Sequence, residues 1–188
     1  QALDDLGYAP ERDPQRFKNK EQERQDATVS IIDGTERRRQ RPKKAEKQAL
    51  HYSGKKKIHS DKNGVIATAK KKRISFLSQT YPGKTHDKQV VDTENISYPN
   101  QITLHKDTGF QGYEPNVRKL CQPKEKKHNR KLSKIRVKVE HALSGVKRSR
   151  IVKAVLRNTK EAFSDLVIVI ACSLHNLRVE HRKKPLKL

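Results

Sequence analysis

The chain has 188 residues, and its 44 lysines and arginines outnumber its 21 aspartates and glutamates, giving a net charge of +23 at pH 7. Hydrophobic residues make up 32% of the chain and aromatic residues 5%, so a core must be small and built from a few apolar segments. No apolar run approaches the roughly 20 residues that span a bilayer, and no secretory signal is present, so we expect no membrane partner.

The basic surplus indicates a polyanionic partner. Lysines and arginines release condensed counterions when they neutralise phosphates, which gives strong, salt-sensitive binding without sequence preference. The charge therefore predicts nucleic-acid binding. Charge alone does not separate an enzyme that acts on DNA from a basic RNA-binding protein of the ribosomal type.

Cys121 and Cys172 are the only cysteines, and they lie far apart without a CxxC spacing. This pattern favours a reduced intracellular protein over a disulfide scaffold. The chain contains no methionine and begins with Gln1. Because translation starts with methionine, we expect a processed product or a fragment of a longer protein.

The first two-thirds of the chain predicts a sheet. Residues 1–27 are polar and lack a sustained period, so we expect a weakly structured lead. The Asn-Gly pair in DKNG, 61–64, is typical of a tight hairpin turn. β-branched and apolar runs bounded by glycine or proline predict the strands, which lie at 28–33, 55–60, 64–70, 73–80 and 101–107.

Helices are predicted mainly in the last third. THDKQVVDTEN, 85–95, fits a short helix with Thr85 as N-cap. Residues 132–152 show an amphipathic spacing, and residues 161–180 are the most apolar stretch. One side of that last helix carries Phe163, Leu166, Val167, Ile170, Leu174 and Leu177. A basic tail, 183–188, follows, and the overall order of elements predicts an α/β fold.

Three acids stand out in this basic chain. Asp33 and Asp107 each follow a predicted strand, where ligand sites of open α/β sheets collect. Glu140 lies inside the predicted helix 132–152, on the same stripe as Arg136 and Lys147. Each acid also has an ordinary alternative: a turn or cap residue for the two aspartates, and a surface pair with Arg136 for Glu140.

Three carboxylates brought together without a counter-ion repel each other. Mg²⁺ or Mn²⁺ relieves that repulsion because hard cations prefer carboxylate oxygens. Two such ions about 4 Å apart activate the attacking oxygen and stabilise the leaving oxygen in phosphodiester transfer. The pattern therefore favours a metal-dependent enzyme that cuts the DNA held by its basic surface.

Several segments resemble a known family. IIDGTERRRQRP, YSGKKKIHSDKN, FLSQTYPGKTHDK, LHKDTGFQGY, RVKVEHALSGVKRSRIVK and ACSLHNLR occur in this order. They resemble the catalytic domain of DDE transposases from bacterial insertion sequences, of the insertion sequence family five-like group, also described as DDE superfamily endonucleases. The resemblance covers residues 28–182 and implies an RNase H-like mixed sheet flanked by helices.

The resemblance also implies roles for individual residues. Asp33, Asp107 and Glu140 take the catalytic, metal-binding positions, and the resemblance implies that they hold two Mg²⁺ or Mn²⁺ ions. Arg136, Glu140 and Lys147 match a family signature whose tyrosine position holds Ser133 here. The helix-turn-helix segment that precedes the family's catalytic domain is missing, which implies an N-terminally truncated transposase.

Basic residues near these acids are the expected DNA contacts. Arg136 and Lys147 flank Glu140 and are predicted to bind phosphates. Lys55, Lys56 and Lys57 lie beside a predicted strand, and a solvated face is an equal alternative for them. We interpret His86 and Asp87 as a loop-to-helix turn rather than as ligands or a base.

The sequence thus predicts metal-dependent DNA cleavage and strand transfer during transposition. The partners would be double-stranded DNA, at transposon ends and target, and a second copy of the chain in a homodimer on DNA. The location would be the bacterial cytoplasm, at the nucleoid. The alternative is an inactive, truncated relic that binds DNA non-specifically.

Overall fold

The computed structural model describes residues 2–23, 29–121, 129–160 and 162–182. Its helices are α1 (Ala2–Asp5), α2 (Phe17–Glu23), α3 (Ala45–His51), α4 (Asp87–Glu94), α5 (Asn129–Val146), α6 (Arg150–Lys153) and α7 (Phe163–Glu180). Its strands are β1 (Val29–Arg38), β2 (Tyr52–Ser53), β3 (Ile58–Thr68), β4 (Ile74–Leu77), β5 (Tyr81–Pro82), β6 (Thr103–His105) and β7 (Lys119–Cys121), and a 3-10 turn covers Thr108–Phe110.

The strands form one mixed sheet. Strand β1 is central: it pairs antiparallel with β3 and parallel with β6, and β6 pairs parallel with β7. The short strands β2, β5 and β4 share the outer edge of β3. Helices cover both faces, so the architecture is the mixed α/β sheet of an RNase H-like fold, as the sequence predicted.

Strand β3 runs without a break through the predicted hairpin turn, and that prediction was wrong. Asn63 and Gly64 pair with Thr35 and Gly34 of β1 instead of reversing the chain. The Asn63 side chain is buried, accepts a hydrogen bond from Arg37 Nη2 at 2.7 Å and donates to the backbone of the segment after β4. These tertiary hydrogen bonds outweigh the local turn preference of an Asn-Gly pair.

Alternating residues of the central strands divide the core into two layers. Ile31 and Val65 face α5 and α7, whereas Ile32 and Ile66 face α4 and the N-terminal segment. All four side chains are buried. Each contributes roughly 1.5–3 kcal/mol of burial free energy, which fixes the register of β1 against β3 because a one-residue slip would exchange the layers.

The N-terminal segment is more ordered than the sequence predicted. Helices α1 and α2 lie within the expected lead, and the Phe17 side chain is buried against Phe76. Arg12 Nη2 also forms an ion pair with Asp165 Oδ2 at 2.7 Å. Aromatic contacts of Phe17 and Tyr8, together with ionic contacts, hold this polar segment, and periodicity does not detect them.

The buried face of the last helix, α7, lies next to the face that the sequence predicted. Val167, Ile168, Ala171 and Cys172 are buried, whereas the exposed set consists of Leu166, Ile170 and Leu174. The small side chains allow α7 to approach the sheet closely. None of the helices in the described ranges is long and apolar enough to cross a membrane.

Candidate active site

The two aspartates come together because of the register between β1 and β6. The parallel pairing ends with Ile31 opposite His105. Asp33 and Asp107 each lie two residues beyond this last pair, so the register places them side by side on neighbouring segments. Asp33 is therefore not at a strand end as predicted: β1 continues to Arg38 along β3, and only its β6 neighbour stops.

Both aspartates line one cleft of about 380 Å³. The cleft is polar and carries charges of both signs. Its other charged lining residues are Glu36, Lys55, Lys56, Asp87 and Lys147. This composition joins an acidic centre to a basic surround, as metal-dependent phosphodiester chemistry requires.

Asp33 carries the most perturbed charge in the cleft. Burial is the main cause that raises the pKa of Asp33 to about 6, and the nearby Asp107 and Asp87 carboxylates raise it further. A hydrogen bond from the backbone N–H of Gly34, at 2.8 Å, acts in the opposite direction. Negative charge at Asp33 is thus poorly compensated by the protein, which favours a bound cation.

Two cations on or directly after helix α5 lie near the two aspartates. Arg136 Nη2 donates to Asp107 Oδ2 at 2.8 Å, and Lys147, just beyond the helix, lines the cleft near Asp33. Burial lowers the pKa of Lys147, while Asp33 and Glu36 act to raise it. Three lysines on the loop before β3 were predicted to contact DNA. Lys55 and Lys56 line the cleft, and Lys57 does not.

Glu140 is not brought into the cleft with the two aspartates. Its side chain is exposed and does not belong to the cleft lining. Each helical residue turns by 100°, so Glu140 lies within about 40° of Arg136 and about 20° of Lys147 around α5. The helix therefore carries Glu140 on the stripe whose two neighbours reach the cleft. Its assignment as a metal ligand stays a prediction.

Asp87 lines the cleft, although the sequence analysis interpreted it as part of a loop-to-helix turn rather than as a ligand or base. It begins α4, and its carboxylate forms an ion pair with Lys62 Nζ at 3.1 Å. The helix itself was predicted, although its N-cap is His86 rather than Thr85. The position of an acid directly after a histidine in PGKTHDK was the available signal, but a helix N-terminus explains it equally well.

The donor set partly fits a divalent cation. Within the described ranges, no three acidic, histidine or cysteine side chains are grouped closely enough to hold one metal ion. Asp33 and Asp107 nevertheless offer the carboxylate oxygens that Mg²⁺ and Mn²⁺ prefer, in a cleft where neighbouring carboxylates help to raise the pKa of Asp33. The pair fits the cation, whereas Glu140 is exposed and lies outside the cleft lining.

Comparison with known proteins agrees with this geometry. Residues 32–176 match the family model described as DDE superfamily endonuclease. The match covers well over half of the chain, and the chain belongs to this family. The resemblance found in the sequence motifs is thereby confirmed, including its assignment to transposase-type endonucleases.

A named relative points to the same class. The chain is 28% identical over 145 residues to the probable transposase for insertion sequence element IS702 from Microchaete diplosiphon. The aligned region covers 71% of this chain and 51% of the relative, so the chain spans about half the length of the curated relative. No solved structure is significantly similar to the chain.

Proposed function

We propose that this chain is the catalytic domain of a transposase and carries out metal-dependent DNA cleavage and strand transfer. The observation that supports this most is the pair Asp33 and Asp107, which lie side by side on neighbouring segments in one cleft. Lys147 also lines this cleft, and Arg136 pairs with Asp107. Membership of the DDE superfamily endonucleases supports the cleavage chemistry. The domain would comprise residues 28–182.

The acidic and the basic side chains of the site would have different roles. Asp33, Asp107 and Glu140 would hold Mg²⁺ or Mn²⁺, in a two-ion arrangement. When bound, these ions supply activation of the attacking oxygen and stabilisation of the leaving oxygen. Arg136 and Lys147 would bind the phosphates on either side of the scissile bond, and Lys55 and Lys56 would extend this contact along the strand.

Arg136 has a second consequence for the proposed reaction. Its guanidinium is paired with Asp107, the carboxylate that a metal ion would need. Transfer of Arg136 from Asp107 to a DNA phosphate would free Asp107 Oδ2. DNA binding and metal binding should therefore favour each other.

The direct test is a plasmid-nicking assay with purified protein. Supercoiled DNA should be nicked in Mg²⁺ or Mn²⁺ and not in EDTA, and Asp33→Asn should abolish nicking while DNA binding persists. Nicking that survives in Asp33→Asn would contradict the proposal. DNA binding without any nicking by the parent chain would favour the inactive relic.

Glu140 needs its own variant because it is exposed. Glu140→Gln should abolish nicking if the side chain turns into the cleft on metal binding. Ser144→Ala, at an exposed position one helical turn further along α5, is the matched control and should leave nicking unchanged. Normal nicking by Glu140→Gln would remove Glu140 from the metal-binding set while leaving the aspartates in place.

The substrates would be double-stranded DNA at transposon ends and at the target, bound by a homodimer. These partners follow from the family and the basic charge, as does a cytoplasmic location at the nucleoid. Size-exclusion chromatography with and without end DNA tests the dimer. A complex with one chain per DNA end that never pairs two ends would contradict it.

A further inference from the structure

We infer that Asp87 is a positioning residue that sets the spacing between the two segments carrying Asp33 and Asp107. The inference rests on the proposed metal-dependent function and assigns a role to a residue outside the predicted acidic set. Its basis is the contact of the Asp87 carboxylate with both segments, at the point where the hydrogen bonds between them have ended.

Two glycines mark this contact. A β-carbon added at Gly34 would lie 2.6 Å from Asp87 Oδ1, and one added at Gly109 would lie 3.2 Å from Asp87 Oδ2. Gly34 directly follows Asp33, and Gly109 is two residues beyond Asp107. One carboxylate therefore lies beside both segments, with a different oxygen nearest to each, and a β-carbon at position 34 would collide with it.

The sheet explains why such a spacer is needed. Hydrogen bonds between β1 and β6 fix their separation only as far as Ile31 and His105. Beyond that point β1 continues along β3, while the other chain segment turns into the 3-10 turn. The distance between Asp33 and Asp107 is therefore set by whatever fills the opening, and Asp87 fills it.

The position of Asp87 is itself fixed by contacts with Lys62. Lys62, on β3, is buried and donates to Thr85 O at 2.7 Å, so its position is fixed relative to the start of α4. Its Nζ lies 3.1 Å from Asp87 Oδ1 and 3.5 Å from Glu36 Oε1. The buried Lys62 neutralises the Asp87 carboxylate, which allows Asp87 to remain between Asp33 and Asp107.

The approach of α4 to the sheet also depends on glycine. Gly34 pairs with Gly64, and a β-carbon at Gly64 would lie 3.3 Å from Val90 Cγ1. Two adjacent glycines thus open the face of the sheet on which α4 lies. This brings the first residue of α4 deep enough to reach the opening between β1 and the 3-10 turn.

The test measures Mn²⁺ binding by electron paramagnetic resonance without DNA, alongside nicking, DNA affinity in EDTA and thermal unfolding. Asp87→Ala should weaken Mn²⁺ binding by about 10- to 100-fold, the usual effect of losing a partner that orients metal ligands. DNA affinity in EDTA should not fall. Asp92→Asn is the matched control, because it removes the same charge from an exposed position of α4 and should match the parent.

Two further variants separate spacing from direct metal ligation and from loss of folding. Asp87→Asn keeps the shape between the glycines and should bind Mn²⁺ more like the parent than like Asp87→Ala. Gly34→Ala should weaken Mn²⁺ binding and lower the unfolding temperature. The double variant Gly34→Ala, Asp87→Ala should bind no worse than Asp87→Ala alone, since the collision is relieved.

Each outcome decides the inference. Parent-like Mn²⁺ binding by Asp87→Ala, or additive effects of the two substitutions, would overturn it. Equal losses of Mn²⁺ binding in Asp87→Asn and Asp87→Ala would show that Asp87 is a direct metal ligand rather than a positioning residue. If Asp87→Ala does not fold, Mn²⁺ binding by Asp87→Asn and by Gly34→Ala tests the same inference. A parent that neither binds Mn²⁺ nor nicks DNA would overturn the proposed function, and this inference with it.

Discussion

Arg136 Nη2 lies 2.8 Å from Asp107 Oδ2, which connects the middle of helix α5 to the segment just beyond strand β6. Both side chains are partly exposed, at 42% and 32%. The pair is therefore screened by water and contributes little to stability on its own. Its importance is geometric, because it connects α5 to the segment that carries Asp107.

Asp107→Asn should retain DNA binding and lose Mg²⁺-dependent nicking. The substitution removes a proposed metal ligand but leaves the basic surface, so DNA affinity should rise slightly. The loss of nicking should exceed the roughly 10- to 100-fold effect expected for an outer partner. Gel-shift and plasmid-nicking assays on the same preparations measure both. Equal nicking by variant and parent would assign the cleavage to a contaminant or to another site.

Replacing Arg136 and Lys147 together by alanine should weaken binding to all DNA sequences alike. The two residues are about 16 Å apart along the helix direction, a span of two or three phosphates on one strand. The slope of log affinity against log salt should fall by roughly 1 to 2 units.

Titrations at several salt concentrations give that slope, and the matched control replaces Arg150 and Lys153, which lie on α6 outside the cleft. An unchanged slope in the Arg136, Lys147 double variant would exclude the phosphate contacts. A loss confined to one sequence would point to base recognition instead.

Asp61 should make stability depend on pH in the acid range. Burial alone would raise its pKa, but hydrogen bonds from His51 and Ser164 and the charge of Arg39 lower the pKa of Asp61 to about 2. A carboxylate whose folded-state pKa is depressed stabilises the fold above its unfolded pKa of about 4. This stabilisation, on the order of 2 kcal/mol, is lost as the pH falls from about 4 to about 2.

Urea unfolding at a series of pH values, for the parent and Asp61→Asn, measures this contribution. The variant should be less stable at pH 7, and the difference should shrink as the pH approaches 2. A difference that stays constant across the range would show that Asp61 acts through packing and neutral hydrogen bonds rather than through its charge.

Gly145→Ala should destabilise the protein although alanine is the better helix former. A β-carbon at Gly145 would lie 2.3 Å from His175 Nδ1, at the contact between α5 and α7. The His175 ring is buried and also hydrogen-bonds to Lys72 O at 2.8 Å, so it has little room to move. Overpacking of this kind costs about 1–3 kcal/mol.

Thermal or urea unfolding measures the effect. Ser144→Ala is the control, because it introduces the same residue at the exposed neighbouring position and should be neutral or slightly stabilising. Stabilisation by Gly145→Ala would mean that the two helices separate easily at this contact.

The local sequence determined most of the elements that carry the site. The β-branched run TVSIID predicted β1, although the strand continues to Arg38, and the helical spacing of residues 132–152 predicted α5, although that helix ends at Val146. The motif order around Asp33, Asp107 and Glu140 identified the family. The apolar character of residues 161–180 also predicted the last helix, α7. These features depend on residues close together in the chain, so periodicity and motif spacing record them.

Only the tertiary structure decided how the segments meet. The hairpin expected at Asn63-Gly64 gave way to a continuous strand because buried hydrogen bonds from distant residues hold Asn63 extended. The place of Asp87 in the cleft depends on Gly34, Gly64 and Gly109, which belong to three different elements. Register and close approach arise from pairing between residues far apart in the chain, and a one-dimensional pattern carries no information about which glycine will face which carboxylate.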